Sequence, residues 1–237
     1  LLNHACKYYN LKTNAARDVG SMGEKEANEM LFWTQEEYEK FISAIKDKPQ
    51  SFYAFEILYW CGLRIGELFA LTKEKFDFEN NIVKVDQSVQ KLNGEIVITP
   101  PKTKKSIRTI VMPEFLSREI QEYLSGFYKL KDKDLIFPIS KSYLHHEMDR
   151  GCNKASVKRI RVHDLRHSHV SLLIELGYSA IAIADRVGHE SIDITYRYAH
   201  LFPSKQSDMA KSLMQLRDNS NKPSWDELLN DEEEIDV

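Results

Sequence analysis

The sequence predicts a mainly α-helical domain with one small three-stranded antiparallel β-sheet, an α+β arrangement. Three observations lead there. Apolar residues recur at helical spacing in several separate stretches. One central stretch is β-rich and surrounds Asn93-Gly94, the strongest short hairpin signal. Glycines stand where helical runs stop, at Gly62, Gly177 and Gly188.

Residues 1–30 read as the end of a preceding unit. Ala5, Tyr8, Tyr9 and Leu11 form its last helical turns, and residues 18–28 a linker. Thr34 and Glu37 make a capping box, and Tyr38, Phe41, Ile42 and Ile45 follow on one helical face. The apolar segment 52–60 predicts a buried helix ended by Gly62, and a short helix follows over 64–71. Strands are expected over 82–90, 95–99 and 107–112, with Lys102 in the turn between the second and third. Leu116, Ile120, Tyr123 and Leu124 form the next helical stripe, with Pro113 in its first turn. Residues 164–176 predict a helix with Asp164 as N-cap, Leu165, Leu172 and Leu176 inward, and Gly177 as stop. Residues 179–187 predict another, stopped by Gly188, and 193–201 a last one. Near the end, Ser224 caps a short segment whose Trp225, Leu228 and Leu229 share a narrow apolar face. No internal repeat is present.

With 237 residues, 42% of them hydrophobic, the chain is long and apolar enough for a sizeable core. No apolar run approaches the roughly 20 residues that a membrane span needs. Cys6, Cys61 and Cys152 form no CxxC pair and no disulfide framework, which points to a reducing, intracellular setting, and a bacterial cytoplasmic location is expected. The chain begins at Leu1 and carries no signal peptide, so it reads as a piece of a longer product. The net charge of −3 hides an asymmetry. Residues 216–237 hold eight acids against two bases, leaving 31 bases and 28 acids elsewhere. Lys102, Lys104, Lys105 and Arg108 form one basic cluster. Arg150, Lys154, Lys158, Arg159 and Arg161 form another. Both are candidate phosphate-contacting surfaces, or plain solvated ones.

Four local patterns could carry chemistry: Gly62-Leu63-Arg64-Ile65-Gly66-Glu67-Leu68, Pro101-Lys102-Thr103-Lys104-Lys105, His163-Asp164-Leu165-Arg166-His167, and Gly188-His189 followed by Tyr198 and His200. Each has a structural reading too. Arg64 pairs with Glu67 at i,i+3, the histidines cap or pack, turn lysines are ordinary, and Tyr198 is a core aromatic. His163 and His167 stand at the i,i+4 spacing of a zinc pair, but no HExxH and no nearby cysteine accompany them, so no metal site is assigned.

Read in chain order as Arg, Lys, His-x-x-Arg, Gly-His, Tyr, the four patterns together resemble the tyrosine recombinase (phage and transposon integrase) family, and integrases of Gram-positive mobile elements in particular. The resemblance runs from about Phe52 to His200. It implies the tyrosine recombinase catalytic-domain fold over residues 31–216, with residues 1–30 the end of a core-binding domain plus linker, and 217–237 an acidic tail. It implies the catalytic set Arg64, Lys102, His163, Arg166, His189 and Tyr198, with Glu67 in support. Tyr196 and Tyr198 point about 200° apart on a helix, so one alone faces a phosphate, and the spacing from His189 selects Tyr198. Lys104 or Lys105 is the alternative to Lys102 as acid. Lys104, Lys105, Arg108, Lys154, Lys158, Arg159 and Arg161 are expected on DNA.

The implied activity is site-specific recombination through a 3′-phosphotyrosine, with no metal, ATP or other cofactor. Implied partners are double-stranded DNA recombination sites, a homo-tetramer in the synaptic complex formed from monomers, and an excisionase or host DNA-bending protein. Alternatives left open are a type IB topoisomerase-like relaxing enzyme, a non-catalytic helical DNA-binding regulator and an unrelated helical hydrolase. The last lacks a Ser-centred elbow or paired carboxylates.

Overall fold

The computed structural model describes residues 1–19, 31–92, 95–101, 103–196, 198, 201 and 206–218. Lys102, the Asn93-Gly94 turn, His200 and the segment with Trp225, Leu228 and Leu229 lie outside the described residues.

Two short helices come first, α1 (Leu2–Tyr8) and α2 (Ala15–Asp18), and neither buries a residue. The helix α3 (Gln35–Ala44) starts at the expected capping box: Glu37 N donates to Thr34 Oγ1, and Thr34 N to Glu37 Oε2. Its face of Tyr38, Phe41 and Ile42 is buried against α4 (Pro49–Cys61) and α7 (Lys141–Ala155). Helix α4 is buried on nearly every side, as a helix apolar all round must be. It ends at Gly62, whose φ of +62° is left-handed. A Cβ there would stand 2.6 Å from the His169 ring. Gly62→Ala therefore incurs both the left-handed backbone and an overpacked core. We expect a loss of about 2–5 kcal/mol, read as a lower urea midpoint at unchanged slope.

The short helix α5 (Ile65–Phe69) follows. Next come the strands β1 (Phe76–Asp77), β2 (Ile82–Val85), β3 (Ser88–Leu92), β4 (Glu95–Thr99) and β5 (Arg108–Val111). The mainly helical fold with a small antiparallel sheet stands, but its strands divide differently from the expectation. The run 82–90 breaks at Asp86-Gln87. Its first half pairs with β5, with Val85 opposite Arg108, and with β1, giving the order β1-β2-β5. Its second half forms a separate hairpin with β4, Ser88 opposite Thr99. Asp86 fixes the break, since its carboxylate sits 2.9 Å from Lys75 Nζ and 3.3 Å from Lys84 Nζ.

Helix α6 (Glu114–Ser125) buries Leu116, Ile120 and Leu124, with Pro113 at its N-cap rather than inside its first turn. Helix α7 has no counterpart in the sequence reading. Its inner face is Leu144, Met148, Gly151 and Cys152, and Gly151 lets the Phe41 ring approach so closely that a Cβ would meet it at 2.4 Å. Helix α8 (Asp164–Glu175) has His163 at its N-cap, so Asp164 is the first helical residue instead of the cap. The Asp164 carboxylate nonetheless accepts from Arg161 N at 2.8 Å. Leu176, expected inward, is 64% exposed, because the buried face belongs to Leu165, Arg166, His169, Val170 and Ile174. Helix α9 (Ala180–Val187) is capped by Ser179 and ended by Gly188 at φ +68°. Helices α10 (Ile192–Tyr196) and α11 (Gln206–Asp218) complete the described chain. Tyr198 packs with Val170, Ile174, Ile183 and Val187 in a small cluster between α8 and α9.

Candidate active site

Two helix ends build the centre of the site. Helices α4 and α9 both stop at left-handed glycines, and their last carbonyls are held by arginines. Arg166 Nη1 donates to Gly62 O at 2.7 Å and its Nη2 to Val187 O at 2.6 Å. Arg64 Nη2 donates to Gly188 O at 3.1 Å. Cations at helix C-termini are favoured by the exposed carbonyls and the dipole. The same bonds anchor each guanidinium while its remaining N–H groups stay available.

Glu67, 2% exposed, ties the arginines together. Its carboxylate accepts from Arg64 N and Nη1 at 2.8 Å, from Arg108 Nη1 at 3.1 Å and from Arg108 Nη2 at 2.9 Å. Burial alone would raise the Glu67 carboxyl, but Arg108 and then Arg64 outweigh it and hold it below its ordinary range. Arg166 is pushed down to about 9, by burial first and then by the charges of Arg64 and Arg108. Three guanidiniums facing one carboxylate leave an excess of positive charge in a mostly dry place, which favours an anion.

Around this centre stand the histidines and the tyrosine. His189, 7% exposed, pairs through Nδ1 with Thr195 Oγ1 at 2.8 Å. His163 is exposed, and its ring lies edge-on to that of His167 at 5.3 Å. Tyr198 is 2% exposed and its hydroxyl is hydrogen-bonded to His167 Nδ1. Tyr196 is 53% exposed. Arg64, Glu67, Arg166, His189 and Tyr198, scattered over 135 positions of sequence, thus gather between α5, α8, α9 and α10. Beside Arg64 and Glu67, a cavity of about 350 Å³ is also lined by Pro101, Thr103 and Ser106 of the lysine-rich turn. Lys104 opens a 3-10 turn there, and Lys105 Nζ donates to Glu190 O at 3.1 Å.

Residues 32–205 match the phage integrase family. The chain belongs to that family. Among relatives of this phage integrase domain, the ICEBs1 integrase of Bacillus subtilis is 36% identical over 201 residues, which are 78% of this chain and 54% of the relative. A putative prophage phiRv2 integrase of Mycobacterium tuberculosis is 25% identical over 217 residues, 88% of this chain and 57% of the relative. The chain spans about half the length of the curated relatives it matches. In fold, it is similar to the Tn1549 transposon integrase in complex with a circular intermediate DNA. The TM-score is 0.68 at 23% identity, over 81% of this chain and 67% of that one. It is also similar to the catalytic domain of bacteriophage HP1 integrase, with a TM-score of 0.57 at 17% identity, over 83% of this chain and all of that one.

Within this phage integrase domain, one residue expected on DNA is misplaced by the sequence reading. Arg108 is 9% exposed and bonded to Glu67, Ser106 O and Arg186 O, so it is an internal strut. The second basic cluster is exposed, apart from half-buried Arg150, and threaded with acids: Arg150 pairs with Asp47 and Glu147. Lys158 pairs with Glu37, Arg159 with Asp149, and Arg161 with Asp164, while Lys154 is simply exposed. Thr195 and His167 are site residues that the sequence reading did not assign. No cluster of three or more metal-ligating side chains occurs among the described residues.

Three histidines of this region are held neutral. Burial is the main cause for each, followed by nearby cations. It pushes His167 down to about 4, with His163 next in effect. His169 falls to about 3, with Arg186 next, and His189 to about 3, with Arg166 next. The folded state then binds fewer protons than the unfolded chain below pH 6.5. The stability of these neutral histidines is complete above pH 6.5 and is lost as pH falls toward 4 and 3. Unfolding free energies from urea titrations are expected to change little between pH 7.5 and 6.5 and to fall below it, by at most about 1.4 kcal/mol per pH unit for each histidine.

Proposed function

We propose that this chain is the catalytic part of a site-specific DNA recombinase, an integrase that cuts and rejoins DNA through a 3′-phosphotyrosine to integrate or excise a mobile element. The observation that carries the reading is the convergence of Arg64, Arg166 and His189 on one cationic centre, with Tyr198 beside it.

A phosphodiester resists attack because it is anionic and gathers more negative charge on its oxygens in the transition state. Arg64 and Arg166 are pre-anchored from behind by helix carbonyls, so their free N–H groups meet the non-bridging oxygens with no reorganisation. His189, set by Thr195, adds a further hydrogen bond. The Tyr198 hydroxyl attacks phosphorus and passes its proton to a histidine base, the role that the resemblance gives to His163, while the P–O5′ bond breaks and the leaving oxygen takes a proton from Lys102. The tyrosyl ester keeps the phosphate activated for rejoining, so this scheme calls for neither ATP nor a metal.

The proposal extends to the rest of the protein. Residues 1–30 would end a core-binding domain, 31–216 form the catalytic domain and 217–237 the acidic tail. The protein would act in the bacterial cytoplasm on double-stranded recombination sites, as a homo-tetramer assembled from monomers, with an excisionase or host DNA-bending protein as helper. Lys104, Lys105, Lys154, Lys158, Arg159 and Arg161 are the proposed DNA contacts.

The test is a nicked suicide duplex incubated with the full-length protein in excess EDTA. A covalent band with a free 5′-hydroxyl on the released strand is expected, whereas no band favours a DNA-binding regulator. Lys102→Ala is expected to slow cleavage about 10²-fold or more, and a substrate with a 5′-bridging sulfur to restore most of the rate, since sulfur leaves without a proton. Equal slowing on both substrates moves the acid to Lys104 or Lys105.

A further inference from the structure

The Tyr198 hydroxyl is hydrogen-bonded to Nδ1 of His167, whose side chain is 16% exposed. His163, which the family pattern would make the base, stays exposed at the N-cap of α8. We propose that His167 is the general base of the reaction, taking the Tyr198 proton as the tyrosine attacks phosphorus. This rests on the reading of Tyr198 as nucleophile.

The surroundings of His167 suit the role. Asp164, fully buried one turn before it, places Oδ1 3.8 Å from His167 Nε2. A fixed carboxylate on that side favours the tautomer with its proton on Nε2, leaving the Nδ1 lone pair toward the phenol. It also stabilises the imidazolium that forms. The ring is neutral at pH 7, because burial, then His163, hold it down to about 4. Arg166 adds to this depression, and a bound phosphate sets its negative charge against that cation. The base therefore strengthens when substrate arrives.

The step balances without a co-reactant. The Oη–H bond breaks and N–H forms on His167, Oη–P forms and P–O5′ breaks, and the 5′-oxygen is protonated by its own acid. In rejoining, the 5′-hydroxyl attacks and returns its proton to that acid, and the departing Tyr198 oxygen recovers the proton from His167.

The experiment compares His167→Ala, His167→Gln and His163→Ala in the full-length protein, by single-turnover cleavage of a suicide duplex. Thermal melts and DNA-binding titrations report folding and affinity. Gln keeps a hydrogen-bond acceptor near the tyrosine but cannot take up a proton, and it carries the test if the alanine variant does not fold. Both His167 variants are expected to lose about 10²-fold or more in cleavage rate with binding intact. Added imidazole should raise the rate of His167→Ala about tenfold or more, and a 5′-bridging sulfur should rescue neither. Cleavage by His167→Gln within about threefold of the parent overturns the proposal, as does rescue by bridging sulfur, which would place His167 on the leaving group. A parent protein that forms no adduct, or a Tyr198→Phe variant that still does, refutes the tyrosine reading itself and is distinct from either result.

Discussion

Tyr198→Phe is expected to abolish the covalent protein–DNA adduct while leaving DNA affinity within about twofold. The substitution removes one oxygen, and no other group at that position can form the ester. The ring itself remains packed against Val170, Ile174, Ile183 and Val187, so the small cluster between α8 and α9 stays filled and the fold is kept. Tyr196→Phe is the control. Its side chain is 53% exposed, and its variant should form adduct at the parental rate. A gel of trapped complexes from the three proteins decides the matter, and adduct from Tyr198→Phe but not from Tyr196→Phe reverses the assignment.

Arg166→Ala has the second largest expected effect, a loss of about 10³-fold or more in single-turnover cleavage. Removing one preorganised donor from a dry site costs about 10²–10³. Arg166 supplies a charge as well, and it fixes the C-terminal carbonyls of α4 and α9 on which the placement of Arg64 and His189 depends. Arg166→Lys should recover little, because an ammonium cannot bond Gly62 O, Val187 O and a phosphate in one plane. Burial of this cation disfavours the folded state, so the alanine variant should unfold no more easily than the loss of its two carbonyl bonds dictates. Rates and urea midpoints on the same preparations separate the two effects. A cleavage rate within tenfold of the parent would remove Arg166 from the chemistry.

Much of this was legible in the sequence because the signals were local. The Thr34–Glu37 capping box, the apolar run into Gly62, and Ser179 with Gly188 each define a helix end by the chemistry of one or two residues. The Arg64–Glu67 pair follows from i,i+3 spacing alone. Helix α7 escaped because its inner face contains Gly151 and Cys152, small residues that a hydrophobic stripe does not advertise but close packing on Phe41 requires. Arg108 was grouped with the lysines by proximity in sequence. The period of two along β5 held the correct answer, since Arg108 and Ile110 share the buried face and Thr109 and Val111 the open one. The division of the sheet at Asp86 depends on Lys75, and the bond from His167 to Tyr198 crosses 31 positions. No local pattern encodes either.

Tyr198, held beside the paired arginines, is proposed to become the covalent link to DNA. Mass spectrometry of the protease-digested adduct from a suicide duplex tests it most directly. A single modified peptide is expected, with the nucleotide on Tyr198 through its 3′-phosphate. A nucleotide on Tyr196 or any other side chain, or a link through a 5′-phosphate, would contradict it.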